Sequence, residues 1–182
     1  MTIAAVALGT LALVYGVWTF NRMVGLGKRA DGAWSDIDVQ LKRRWDLVPA
    51  LVETAKGYSR HETGTLERVT SARAAAQRAD SVAARGTRES ELTGAVRGVF
   101  ALVEAYPDLE ASRSYLELHA SLVEIEDQVQ YARRYHNAVV RDLNTLLAGF
   151  PSSLVARLCG FRQREFFELD DAAERAAPRV GP

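Results

Sequence analysis

Between Tyr115 and Phe150 the apolar residues recur at alternating intervals of three and four: Tyr115, Leu118, Leu122, Ile125, Val129, Ala132, His136, Val139, Leu143, Leu146 and Phe150. Only His136 breaks the apolar series. Such spacing puts every member on one stripe of an α-helix, with the 3.5-residue mean of bundles and coiled coils. A helix of that length is a rod of roughly 50–55 Å. It cannot bury its own stripe, so it demands other helices to pack against.

Those partners are legible upstream. From Asp31 to about Ala79, apolar residues recur at Trp34, Ile37, Leu41, Trp45, Val48, Val52 and Ala55, and the register resumes at Leu66 and Val69. Pro49 lacks the N–H that would bond the Trp45 carbonyl, which predicts a kink or restart there. Gly57 and Gly64 weaken the middle further. Residues 80–88 lose the pattern and read as a connection. A helix is expected from about Glu89 to Tyr106, with Leu92, Val96, Val99, Leu102, Val103 and Tyr106 on one face and Pro107 as its stop. Pro151 ends the long helix, and a shorter amphipathic piece follows over 154–167, of a kind that lies on a bilayer. The last residues, 170–182, are rich in Ala and Pro and read as a disordered tail. No β alternation bounded by hairpin turns occurs, and aromatic residues are only 8%, so sheet is disfavoured. The fold expected is all-α: an elongated antiparallel bundle of long helices behind an N-terminal transmembrane helix.

That anchor is the apolar run Ile3–Phe20, eighteen residues without a charge. As a helix it is about 27 Å long, close to the ~30 Å hydrocarbon core of a bilayer. Tyr15, Trp18 and Phe20 cluster near its end, where an aromatic belt sits, and Arg22 can snorkel to the headgroups. A cleaved signal peptide fits less well, because a basic n-region is lacking and Trp18-Thr19-Phe20-Asn21 is a poor cleavage site. No Lys or Arg precedes the run, whereas Arg22, Lys28 and Arg29 follow it. By the positive-inside rule this is a single-pass protein of the cytoplasmic membrane, N-terminus outside and C-terminal domain cytoplasmic. The expected organisation is an anchor at 1–26, a helical bundle domain at 27–169 and the tail at 170–182.

Candidate chemistry is sparse. Lys+Arg and Asp+Glu both number 23, so the basic excess of a nucleic-acid binder is missing. The one cysteine, Cys159, makes no intrachain disulfide and no multi-Cys zinc cluster. His61-Glu62 begins like a zinc-protease helix, but position 65 is Thr65 where a second His is needed. His119 and His136 have no ligand partners at metal spacing, and no phosphate loop or nucleophile elbow is present. No catalytic residue, metal, cofactor or small-molecule substrate is read from the chain. What stands out is polar surface. Asp36 and Asp38 precede Arg43 and Arg44 beside the Trp34–Trp45 seam, as simple helix pairing or as a mixed-charge docking face. Arg133, Arg134 and Asn137 form a second group, either the polar rim of the bundle or a second docking patch.

Two sequence blocks carry a resemblance. The first is Ala33-Trp34-Ser35-Asp36-Ile37-Asp38-Val39-Gln40-Leu41-Lys42-Arg43-Arg44, continued by Asp46-Leu47-Val48-Pro49, Leu51-Val52-Glu53-Thr54, Lys56-Gly57-Tyr58 and His61-Glu62. The second is Glu104-Ala105-Tyr106-Pro107-Asp108-Leu109, then Ala132-Arg133-Arg134-Tyr135 with Asn137, Phe150-Pro151 and Gly160-Phe161. Over about residues 20–169 the chain resembles the LemA family of bacterial membrane proteins. It departs from the family pattern at Phe20-Asn21, at Ala50 and at Asp142-Leu143. The resemblance implies an N-terminal anchor, an N-out topology and a long helical bundle. It implies no reaction, since the family has no established molecular activity or catalytic residues. Some relatives are associated with magnetosome membranes, and neighbouring genes point to envelope functions or membrane proteases. The reading is therefore a membrane-anchored, non-enzymatic helical scaffold or adaptor that engages an unidentified protein partner. The alternative is a self-assembling membrane-organising or remodelling protein that acts through coiled-coil-like faces.

Overall fold

The computed structural model describes residues 2–57 and 62–169. The expectations for His61 and for the 170–182 tail lie outside the described residues. Within them the chain is all-α, with six helices and no strand: α1 (Thr2–Lys56), α2 (Thr63–Gln77), α3 (Val82–Val103), α4 (Pro107–Glu110), α5 (Arg113–Ala148) and α6 (Ser152–Leu158). Two compact units form, Met1–Ile37 with Ala132–Phe166, and Asp38–Tyr131 with Phe167–Pro182.

In the first unit α1 and α5 run antiparallel. Trp34 meets His136 at 5.7 Å between ring centroids. Ala30 packs on Val139 and Val140, and Met23 on Leu143 and Leu147. Each step forward on α5 is thus a step back along α1. Beyond α5 the chain turns through Gly149-Phe150-Pro151 into α6, whose Ala156 joins the Met23 cluster. Gly160, at φ +72°, takes the left-handed conformation that suits glycine and reverses the chain. Phe161 then stacks edge-on against Phe20 at 5.7 Å. The helical part of the expected amphipathic piece is only Ser152–Leu158, and 161–169 has no helix.

The second unit is a four-helix bundle in which α1, α2, α3 and α5 alternate in direction. Arg73 of α2 reaches back to the Trp45 carbonyl of α1, whereas Lys56 lies near Thr63. α2 packs along α3, and Phe100 of α3 meets Tyr115 and His119 at the start of α5. The stripes read from the sequence face inward: Ile37 in the first unit, then Leu41, Val48, Val52 and Ala55 here, with Leu66, Val69, Leu92, Val96, Val99, Leu122 and Val129 opposite; Leu51, which the stripe as read does not include, is buried with them.

Two boundaries differ from expectation. α1 runs through Pro49 and ends at Lys56, so no restart occurs at the proline. The Trp45 carbonyl that Pro49 cannot bond instead accepts a 2.6 Å hydrogen bond from Arg73 Nε. The orphaned acceptor is satisfied from outside, which lets the helix continue. The expected connection at 80–88 is mostly helix. Ser81 caps α3, its Oγ accepting from the Ala84 N–H at 3.1 Å, so the helix starts seven residues before Glu89, at Val82. Within that added stretch Gly86 is buried, and a Cβ there would collide with the Glu168 carbonyl. The absent side chain lets the 167–169 segment cross close to α3, where Phe167 is fully buried.

Candidate functional site

The candidate docking residues divide between the units. Asp36, Arg133, Arg134 and Asn137 belong to the first; Asp38, Arg43 and Arg44 belong to the second. Asp36, Arg43 and Arg134 are exposed, while Arg133 and Asn137 are half-buried. Asp38 is held by Lys42 at 2.6 Å and by Arg85 at 2.7 Å. Arg85 also lies 5.9 Å from the Trp45 ring centroid and donates to the Ala79 carbonyl.

Arg44 departs from the expected surface. It is only 4% exposed and sits inside the second unit. The reason is its register: it lies seven residues after Ile37 and seven before Leu51, both fully buried, so it occupies the seam itself. Its guanidinium lies 3.5 Å from Glu89 on α3 and 3.2 Å from Glu126 on α5, and donates to Thr93 Oγ at 2.8 Å. Glu89 has no exposure at all. Its other oxygen accepts from the Trp45 indole N–H at 2.7 Å. Burial pushes the Glu89 carboxyl above its ordinary 4.5, and neighbouring Arg44 and the Trp45 hydrogen bond oppose that shift.

Glu89 escaped the sequence reading although its signal was present. It lies three residues before Leu92 and seven before Val96, on the α3 stripe. Reading 80–88 as a connection put Glu89 at a helix end, where a charge looks solvated. Beside this cluster is a cleft of about 240 Å³ lined by Arg44, Thr93, Val96, Phe100, Leu122 and Glu126. Of the charges bordering it, Arg44 and Glu126 pair with each other across helices. The chemistry visible there is interlocking of α1, α3 and α5. Among the described residues no group of three or more His, Cys, Asp or Glu is placed to hold a metal ion.

In the first unit His136 takes the one polar position of the long stripe and is only 4% exposed. Burial pulls its pKa below 6.5, more strongly than the backbone of Ala30 and Glu165 raises it. The outer ends of this unit are tied by polar contacts. Asn144 and the Arg164 backbone exchange two hydrogen bonds of 2.9 Å, and the Arg164 guanidinium pairs with Asp31.

The N-terminal part of α1 has a different character. It is long and apolar enough to cross a membrane, and almost none of it is buried by protein. Ile3, Leu8, Leu11 and Val14 are all exposed. In water that surface would be strongly unfavourable, whereas lipid is its natural solvent.

Comparison with known proteins agrees with this picture. Residues 33–181 match the LemA family model. The chain is 25% identical over 151 residues to Protein LemA of Metamycoplasma hominis, covering 81% of this chain and 69% of that one. It is 30% identical over 76 residues to Magnetosome protein MamQ 2 of Paramagnetospirillum magneticum, and 29% identical over 76 residues to Magnetosome protein MamQ of Magnetospirillum gryphiswaldense. These shorter matches cover 42% of this chain, which spans only 28% of the length of either magnetosome relative. The family match takes in both quoted sequence blocks, the α1 seam with Arg44 and the whole of α5, and on that extent the chain belongs to the LemA family.

Proposed function

We propose that the protein is a membrane-anchored, non-enzymatic scaffold that presents a helical bundle to protein partners at the cytoplasmic face of the membrane. The observation that carries this reading is the change of character along α1. Its first part is exposed and apolar, and the same helix continues as a charged, packed bundle helix. One helix thus contributes both a segment suited to lipid and a segment suited to a water-facing bundle. Magnetosome relatives among the matches fit a role at a membrane.

Docking is assigned to Asp36, Asp38 and Arg43 along α1, with Arg133, Arg134 and Asn137 as a second patch. Arg44 supports the bundle from inside and is left out of the test. The experiment is affinity recovery of the C-terminally tagged full-length protein from native membranes in mild detergent, beside an Arg43→Glu variant. Arg43 is exposed, so the variant keeps its helicity. A specific protein recovered with the parent and lost with the variant supports the reading. Equal recovery by both removes the Arg43 face.

The second reading is self-assembly, and one feature of α5 favours it. Leu116 and Val123, one heptad apart, are 53% and 45% exposed on an otherwise polar face. Large particles containing only this protein, dispersed by Val123→Glu, support that reading.

A further inference from the structure

The segment between α5 and the end of the first unit carries exposed apolar side chains. It dips alongside the apolar part of α1 and returns. On the way in, Leu143 and Leu147 pack at Met23; on the way out, Phe161 stacks on Phe20 and Arg164 pairs with Asp31. Between these points α6 lies beside the stretch Leu8–Trp18, where Leu8, Leu11, Trp18, Pro151, Leu154 and Leu158 line one open apolar groove. That stretch lies within the eighteen uncharged residues of α1.

Three properties match this position. First, large apolar side chains point outward: Phe150 is 84% exposed and Leu158 87%. Second, Ser152 and several backbone N–H groups of the turn bond internally, which lowers the cost of placing them in hydrocarbon. Ser152 Oγ donates to the Leu146 carbonyl at 2.6 Å, Ser153 N to Gly149 at 2.7 Å, Cys159 N to Val155 at 3.0 Å and Phe161 N to Ala156 at 3.0 Å. Third, the only charge from Leu143 to Phe161 is Arg157, which is exposed and long enough to snorkel to headgroups at the level of Arg22 and Arg162.

We propose that Phe150–Phe161 is a second membrane element, a monotopic wedge in the leaflet on the C-terminal side of the α1 span, whose groove with α1 is filled by lipid acyl chains. The proposal rests on the reading that the apolar part of α1 spans the bilayer. Continuity decides the occupant, because the groove is one wall of the surface that faces lipid along α1. Counting back along α1 from Arg22, Trp18 lies roughly 6 Å and Leu11 roughly 16 Å below the headgroup level, so the groove runs through the depth of one ~15 Å leaflet to about the bilayer midplane.

The chain's one cysteine, Cys159, stands exposed just after α6 and serves as the probe. The full-length protein is labelled there with an environment-sensitive fluorophore and placed in vesicles of phosphatidylcholine and phosphatidylglycerol. Two references are labelled in a Cys159→Ser background, Leu8→Cys within the α1 span and Ser71→Cys on the exposed surface of α2. Quenching by nitroxide-bearing acyl chains is compared with quenching by aqueous iodide. The expected result is that Cys159 follows Leu8→Cys, with several-fold weaker iodide quenching than Ser71→Cys and clear lipid quenching. Lipid quenching at Leu8→Cys while Cys159 follows Ser71→Cys overturns the wedge alone. Iodide access at both Leu8→Cys and Cys159 overturns the spanning reading and the wedge with it. Leu154→Glu with Leu158→Glu supplies the internal comparison: it lowers lipid quenching at Cys159 and leaves Leu8→Cys unchanged when the wedge is real, and an unchanged Cys159 signal counts against it.

Discussion

Arg44 shows how one residue changes meaning with register. By composition it belongs to a run of basic residues, Lys42-Arg43-Arg44, and such runs are usually solvated. By position it falls on the buried seam, where Glu89 and Glu126 meet it. Removing one member of a buried pair strands the other, at about 3–5 kcal/mol. Arg44→Met is therefore expected to lower the thermal midpoint of the full chain in detergent steeply. The double change Arg44→Met with Glu89→Gln keeps an acceptor for the Trp45 indole and leaves no unpaired charge at residue 89. Its cost is expected to be well below the sum of the two single changes, measured as a coupling energy in a double-mutant cycle. Additive costs would mean that the pair is not energetically linked. His136 offers a test by pH. Its folded pKa lies below 6.5, so the unfolded chain takes up the proton first as pH falls. The stability it permits is complete above pH 6.5 and is lost as pH drops from 6.5 through the lowered folded value. Glu89, shifted upward from 4.5, works in the opposite sense, since acid relieves the cost of its buried charge. Unfolding of the parent and of His136→Phe, compared from above pH 6.5 to about pH 5, is expected to show a stability loss in the parent that the variant lacks.

At the scale of elements, periodicity was a good guide and local breakers a poorer one. The α5 stripe, from Tyr115 to Phe150, became a helix over Arg113–Ala148 because nothing in that run opposes the pattern. Pro49 was legible as a missing donor, yet its effect was not, because the compensating Arg73 sits on another helix. Propensity reads one helix at a time, and the hydrogen bond that rescues α1 is a tertiary one. The start of α3 was hidden for a related reason. Ser81 is a good cap in sequence, but the Ala and Gly residues after it blurred the stripe, and Gly86 is explained only by the Glu168 backbone lying against it. The compensation at Pro49 predicts a conditional mutation. Arg73→Ala leaves the buried Trp45 carbonyl without its donor and is expected to cost about 1–3 kcal/mol. In a Pro49→Ala background the residue 49 N–H can bond that carbonyl directly, and Arg73→Ala is expected to cost measurably less. Urea unfolding of the four proteins reads the difference. An equal cost in both backgrounds would show that Arg73 acts only through its packing.

For the whole molecule, the all-α class and the long apolar N-terminal helix were legible because each rests on many residues agreeing: a stripe of eleven positions in one case, eighteen uncharged residues in the other. The candidate docking site was less legible, because exposure of a charge depends on which helices cover it, and no run of sequence records that. Orientation in the membrane is a property of this scale, and the charges beside the apolar segment bear on it. Arg22, Lys28 and Arg29 lie within a few residues of the apolar segment's C-terminal end, the range over which basic residues set topology. By the positive-inside rule they are expected to hold the following chain on the cytoplasmic side. A C-terminal tag on the full-length protein is therefore expected to survive protease added to intact spheroplasts and to be digested once the membrane is permeabilised. Digestion in intact spheroplasts would reverse the assignment and move the proposed partners to the other face. The charge argument has its own check. Arg22→Glu, Lys28→Glu and Arg29→Glu together are expected to make a fraction of the tag protease-accessible, whereas Arg133→Glu and Arg134→Glu, more than a hundred residues beyond the span, are expected to leave it protected. If both sets act alike, the basic cluster beside the span does not determine the orientation, and folding of the bundle before insertion becomes the better account of which side it occupies.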